Sequence, residues 1–205
     1  TWFGYIGSLH SWQGLETALQ AFAMTAADIP ETRMLIVTGE RRAALKALRK
    51  TIRRLGLSDR VLIRLPLAPE GLAAVIAALR FTVAPLAETT RNVSQGCCPV
   101  KIVESMAAGT AVIASDLGPC RELISQGRDG LLVPAGEPRR WAVALRRLCL
   151  DDTFARALSE NARKRAERSF HYRRIRSKLN AWLTTLDSVV AESESKRFED
   201  KALRL

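Results

Sequence analysis

A chain of 205 residues, 47% apolar and 26% charged, is long enough to bury a core and has the composition of a folded globular domain. It contains no apolar run of the ~18 residues that a membrane-spanning helix requires. Four cysteines without a CxxC pair give no zinc framework and fit reduced thiols in a cytosolic compartment.

The net charge of +11 is unevenly placed. Residues 41–54 hold seven basic and no acidic side chains, and residues 156–178 hold nine basic and two acidic ones, Glu160 and Glu167. Two basic helices on a near-neutral body point to a surface that meets anions. Few aromatics interleave with these basic residues, so base stacking lacks support and no nucleic acid partner is expected. An anionic membrane surface is the better match.

In chain order, 3–7 (FGYIG) is a short strand, with no leader segment expected before it. A chain opening in mid-strand is expected to be part of something longer. The loop 8–14 carries His10, and Leu15, Ala18, Leu19 and Phe22 then repeat at helical spacing to about Asp28. The run 33–38 (RMLIVT) is a continuous apolar strand ending at Gly39, as expected where both faces are buried. Leu45, Leu48, Ile52 and Leu55 form the stripe of a helix that Gly56 stops, with the first basic cluster opposite. A third strand spans 60–65, a helix 69–79 and a fourth strand 81–84.

Residues 85–98 lack periodicity, and loops of that length in a compact domain are usually functional. Pro99 suits the first position of a helix over 100–108, and Gly109 suits its left-handed cap. A strand over 110–114, a short helix over 119–125 and a strand over 130–133 follow. Helices are then predicted over 140–150, 153–168 and 172–190, with a frayed tail over 187–205 beyond the domain 1–186.

Strands alternating with helices predict an α/β fold, a doubly wound, Rossmann-like parallel sheet of about six strands. Ligands of such sheets bind beyond the carboxyl ends of the strands. The segments 8–13, 39–40 and 96–104 all follow such ends and should converge. The helix starting at Val100 presents free N–H groups suited to a phosphate. Lys101 lies in its first turn and Glu104 one turn on, where two carboxylate oxygens could take both hydroxyls of a ribose.

Other chemistries find no support. GxGxxG after the first strand, GxxxxGK[ST] and GxSxG are all absent, and two histidines, His10 and His171, do not suggest a serine triad. Glu122 is equally well explained as a charge favoured at a helix start. Cys97 and Cys98 read as small residues that let the backbone turn.

The segments YIGSLHSWQGLETALQAF, LIVTGE, GLSDRVLIRLPL, CCPVKIVESMAAGTAVIASDLGPCRELI and GLLVPAG occur in an order and spacing that resemble glycosyltransferase family 4. The likeness covers residues 3–186 and is to the C-terminal, donor-binding domain of this two-domain, GT-B family. It implies retaining transfer of a sugar from a UDP- or GDP-linked donor, with no metal or other cofactor. It places the diphosphate on Ser8, Gln13, Pro99, Val100, Lys101 and Ile102, and the ribose on Glu104. The base falls beside Gly39, Glu40, Leu65 and Leu67, and the donor sugar beside Gly96, Cys97 and Cys98. No catalytic residue is assigned.

The sequence departs from the family pattern at three positions. Gly96 replaces the first of two family glutamates, the one that contacts the donor sugar, as also occurs in some relatives with a PxKIxE pattern. Lys101 is expected to offset part of the loss of that glutamate, while Ser8 and Gln13 replace the arginine and lysine of the diphosphate site and leave only hydroxyl and amide donors there. The acceptor-binding N-terminal domain lies outside these residues, so either a longer chain or a separate partner is expected to supply it. The basic stretch 163–178 would then border the cleft or the inner face of a membrane. The implied role is in cell-surface polysaccharide or glycolipid synthesis. The alternatives are a catalytically degenerate donor-binding or scaffold module and an anionic-membrane binding module.

Overall fold

The computed structural model describes residues 1–40 and 42–186. Thr1–Ala166 form one compact unit and Glu167–Leu205 a second. Arg41 and the tail expected over 187–205 lie outside the described residues.

The first unit is built on six parallel strands: β1 (Trp2–Ile6), β2 (Arg33–Val37), β3 (Val61–Arg64), β4 (Phe81–Ala84), β5 (Ala111–Ser115) and β6 (Leu131–Val133). Their order is β3-β2-β1-β4-β5-β6, so the chain reverses direction across the sheet between β1 and β4. Helices cover both faces: α1 (Leu15–Ala26), α2 (Arg42–Arg54), α3 (Pro69–Ala78), α4 (Thr90–Val93), α5 (Val100–Ala107), α6 (Gly118–Leu123), α7 (Pro138–Leu150) and α8 (Asp152–Arg165). This is the doubly wound, Rossmann-like architecture expected from the alternating pattern.

Strand side chains alternate between the faces. Phe3, Tyr5, Phe81, Val83, Ala111 and Ile113 join one core with α1, α2 and α7. In it the Phe3 ring meets Phe22 edge-on at 5.0 Å and stacks on Phe81 at 5.1 Å. Trp141 is fully buried there, and its indole N–H donates to the Pro134 carbonyl at 3.0 Å, which satisfies its one polar atom. On the other side, buried Thr82 of β4 donates to Ser105 of α5 at 2.8 Å. That bond ties the helix carrying the candidate site to the middle of the sheet.

Several elements differ from their predicted extents. The stretch 85–98 contains α4, a single turn capped by Thr89, whose hydroxyl accepts from the Asn92 N–H at 3.4 Å. Four residues are too few to show a helical period. Pro99 stands at the N-cap of α5, one residue before the helix, because the Val100 N–H turns back to the Cys98 carbonyl at 2.8 Å. Gly109 follows α5 with φ +74°, the left-handed geometry its position predicts. The α-helix expected over 153–168 ends at Arg165 and continues as a π-helical turn, Ala166–Phe170.

In the second unit, residues 172–186 form one helix. Tyr172, Ile175, Leu179, Trp182 and Leu186 recur along it every three or four residues and are all exposed, with Arg173, Arg174, Arg176 and Lys178 interspersed. Among the described residues no helix is long and apolar enough to cross a membrane.

Candidate functional site

The reversal between β1 and β4 opens a crevice at the carboxyl ends of the strands, where ligands of such sheets bind. The loop after β1 and the loop after β4 form its walls, and they are held together closely. Gly14 has φ +64°, and a Cβ there would lie 1.8 Å from the Pro85 carbonyl oxygen, so only glycine fits. The Ala87 N–H donates to the Trp12 carbonyl at 3.0 Å. Asn92, fully buried, donates from its amide nitrogen to both the Trp12 and Ala87 carbonyls at 2.8 Å.

Lys101 reaches into this crevice from the first turn of α5. Its ammonium donates to Gln13 Oε1 at 2.5 Å and lies 4.6 Å from the centre of the Tyr5 ring. Gly7, with φ +148°, makes room: a Cβ there would stand 2.7 Å from Lys101 Nζ. Burial lowers the Lys101 pKa to about 8, with Glu104 and Cys120 acting in the opposite direction. The Tyr5 hydroxyl donates to the Ser8 carbonyl, and burial followed by the Glu40 charge holds its pKa well above the usual range.

The predicted site residues fall into three groups. Gln13, Gly96, Cys97, Cys98, Pro99, Val100 and Lys101 line one hollow of about 370 Å³. Glu104 is not among them. It is exposed and lines a separate groove of about 620 Å³ with Leu67, α3 and Arg163. Glu40 joins the loop after β1, where its Oε1 accepts the Leu9 N–H at 3.1 Å. Gly39 meets the loop after β3, since a Cβ there would be 3.0 Å from Pro66 Cγ. Leu65, on that same loop, is exposed. Thus 8–13, 39–40 and the start of α5 converge, while the far end of the 96–104 segment opens on its own groove.

The α5 terminus offers fewer free donors than a full helical turn. Pro99 has no N–H, and the N–H groups of Val100 and Ile102 donate to the carbonyls of Cys98 and Pro99, each at 2.8 Å. Lys101 is the residue of this turn whose N–H has no backbone acceptor among the described residues. Its N–H and its ammonium therefore act from one residue. Among the described residues no group of three or more His, Cys, Asp or Glu is placed to hold a metal ion.

Sequence reasoning missed three contributors. Tyr5 underlies Lys101, and a hydroxyl-bearing aromatic at the end of a buried strand was an available signal. Asn92 gave none, because a buried asparagine in an aperiodic stretch looks like any turn residue. Trp12 stacks on His10 at 4.1 Å and lies 5.1 Å from the Arg91 guanidinium, a cluster across two loops that spacing alone cannot reveal.

Comparison with known proteins follows the same outline. The model for glycosyl transferases group 1 matches residues 1–151. A D-inositol 3-phosphate glycosyltransferase of Corynebacterium urealyticum is 32% identical over 170 residues, covering 80% of this chain and 38% of that protein. Sucrose-phosphate synthase of Thermosynechococcus elongatus superposes with a TM-score of 0.80 at 26% identity, over 92% of this chain and 46% of the other. Anabaena HepE in complex with UDP gives a TM-score of 0.80 at 23% identity, over 90% and 48%, a likeness of fold. The chain thus spans less than half the length of each of these three proteins.

Proposed function

This chain belongs to the glycosyl transferases of group 1, and from that membership we propose that it is the nucleotide-sugar binding half of a retaining, GT-B glycosyltransferase. Lys101 carries the reading: a half-buried ammonium at a helix start, beside the reversal point of the sheet. In this reading the donor diphosphate lies across Lys101 and the free N–H of its turn, flanked by Ser8 and Gln13. Glu104 takes the ribose hydroxyls, and the base lies toward Leu67, which lines the same groove. Gly39, Glu40 and Leu65 border the base. The sugar faces Gly96, Cys97 and Cys98.

Transfer breaks the bond from the anomeric carbon to the diphosphate oxygen, and the nucleoside diphosphate leaves with the electron pair. Lys101 and the α5 terminus meet that growing charge. The acceptor oxygen bonds to the carbon on the same face and gives up its proton to the departing diphosphate oxygen. The reading calls for no resident metal or other cofactor. A further domain or partner protein supplies the acceptor site, and the product enters a cell-surface polysaccharide or glycolipid made on the cytoplasmic side.

Calorimetric titration of the chain with UDP, GDP and their sugars tests this. One nucleotide series should bind, and Glu104→Ala should weaken it about tenfold, the worth of hydrogen bonds to a charged acceptor. No heat from either series would overturn the reading. A second reading, a module that binds donor without supporting catalysis, is favoured by Gly96, where a Cβ would meet nothing within 4 Å. Donor turnover after adding an acceptor-binding half would exclude it. The exposed apolar stripe and basic residues of helix 172–186 support peripheral docking on anionic membrane. Vesicle binding that ignores both salt and lipid charge would exclude that role.

A further inference from the structure

The hollow of about 370 Å³ beside α5 holds two cations, Arg91 and Lys101, and no acidic residue in its lining. Lys101 is already committed to the crevice between Gln13 and Tyr5, the place given above to the diphosphate. Arg91 enters from the other wall, on α4, and has no carboxylate partner among the described residues. Its position is nonetheless fixed. Its Nη1 donates to Asn92 Oδ1 at 3.2 Å, and its guanidinium lies 5.1 Å from the centre of the Trp12 ring. Asn92 is itself held by two hydrogen bonds of 2.8 Å, so Arg91 leans on rigid supports with most of its five donors unused.

Two further features favour an anion in front of it. Arg91 acts on the Cys97 thiol, lowering its pKa against the larger effect of burial, so its field reaches the lining of the hollow. Gly96, on the same lining, has φ +75° and leaves open space where a Cβ would stand. The hollow therefore offers room, a planar cation and no competing carboxylate.

We propose that this hollow selects a donor whose sugar carries a carboxylate, a nucleotide-linked uronic acid, with Arg91 as its counter-ion. The proposal rests on the donor-binding reading above. Lys101 and the α5 terminus serve the diphosphate, which leaves the guanidinium for the planar, two-pronged pairing it makes best with a carboxylate. A neutral hexose offers only hydroxyls, whose hydrogen bonds to a guanidinium are weaker than those of a carboxylate, so selection comes from the added pair.

The test titrates the whole chain, without acceptor, with UDP, UDP-glucose and UDP-glucuronate, and with GDP, GDP-mannose and GDP-mannuronate. The uronate should bind about tenfold tighter than the neutral sugar on the same nucleotide, the scale of one charge-assisted pair. Arg91→Gln should bring the two within about twofold and leave the bare diphosphate unchanged. Arg91 is exposed, so the variant is expected to fold, and its circular dichroism melt checks that. Equal binding of uronate and neutral sugar overturns the proposal while the donor-binding reading stands. Weakening of the bare diphosphate by Arg91→Gln as great as that of the uronate also overturns it, by making Arg91 a phosphate ligand. Failure of every nucleotide, bare diphosphates included, removes both.

Discussion

Asn92→Ala should destabilise the first unit by about 3 kcal/mol. The side chain is fully buried, and its amide donates at 2.8 Å to the Trp12 and Ala87 carbonyls, bridging the loops after β1 and β4. Losing two such bonds removes about 1 kcal/mol each, and an orphaned buried carbonyl costs about 1–3 kcal/mol more. The Trp12 carbonyl keeps the Ala87 N–H at 3.0 Å, so only the carbonyl of half-buried Ala87 is stranded, and that cost stays at its low end, about 1 kcal/mol. With a urea slope of about 2 kcal/mol per M, the unfolding midpoint should fall by about 1.5 M. Asn92→Asp should lose at least as much at neutral pH, because an ionised carboxylate has no proton to give either carbonyl. Its deficit should shrink near pH 4, where the protonated acid can donate once. A midpoint shift under about 0.3 M for Asn92→Ala would refute the bridge as a support of the site.

Two predictions concern Lys101. Burial sets its pKa near 8 in the free protein, and a bound diphosphate stabilises the charged form and raises it, so binding takes up a proton. Nucleotide affinity should therefore be full below about pH 7 and fall as pH rises past 8. The nearby Tyr5 and Cys120 stay neutral across that window, since burial raises both, Cys120 to about 12. Titrations from pH 6.5 to 9.5 check this, and a flat wild-type profile would remove Lys101 from the phosphate site. Gln13→Lys, although it adds a cation, should weaken UDP binding several-fold, because it sets like charges against each other where Nζ now donates at 2.5 Å. Adding Lys101→Ala to that variant should recover part of the loss, and tighter UDP binding by Gln13→Lys alone would refute the coupling.

The sheet was legible because strands buried on both faces are written as runs of small and apolar residues, such as AVIAS in β5, every residue of which is buried. Gly109 was legible because a left-handed cap demands a residue without a side chain. What periodicity could not supply were features decided by distant partners. α4 persists through the Thr89 cap and the two loop carbonyls that Asn92 bridges, none of which lies in a repeating pattern. The widening of α8 into a π-helical turn is a change in hydrogen-bond register that leaves residue spacing untouched. Lys101 and Glu104 stand one turn apart on α5 and so suggested one site. Lys101 crosses to Gln13 instead, while Glu104 opens on the groove with Leu67.

That crossing gives the site its logic. A cation carried on a loop must be ordered when the ligand arrives, whereas Lys101 is anchored in a helix, laid over the Tyr5 ring and held by Gln13 before any ligand binds. Its desolvation is met during folding, and the depressed pKa records that cost. In the donor-binding reading proposed above, such preorganisation would place charge where it develops during transfer, without reorganisation at that moment. It also constrains the neighbours. Gly7 favours the absence of a side chain, because its φ of +148° is one that other residues rarely adopt, and Gln13 favours neutrality, because its oxygen is the acceptor of the ammonium. Uncharged Gln13 is therefore consistent with the proposed phosphate binding, because a second cation at that position would be set against the ammonium of Lys101.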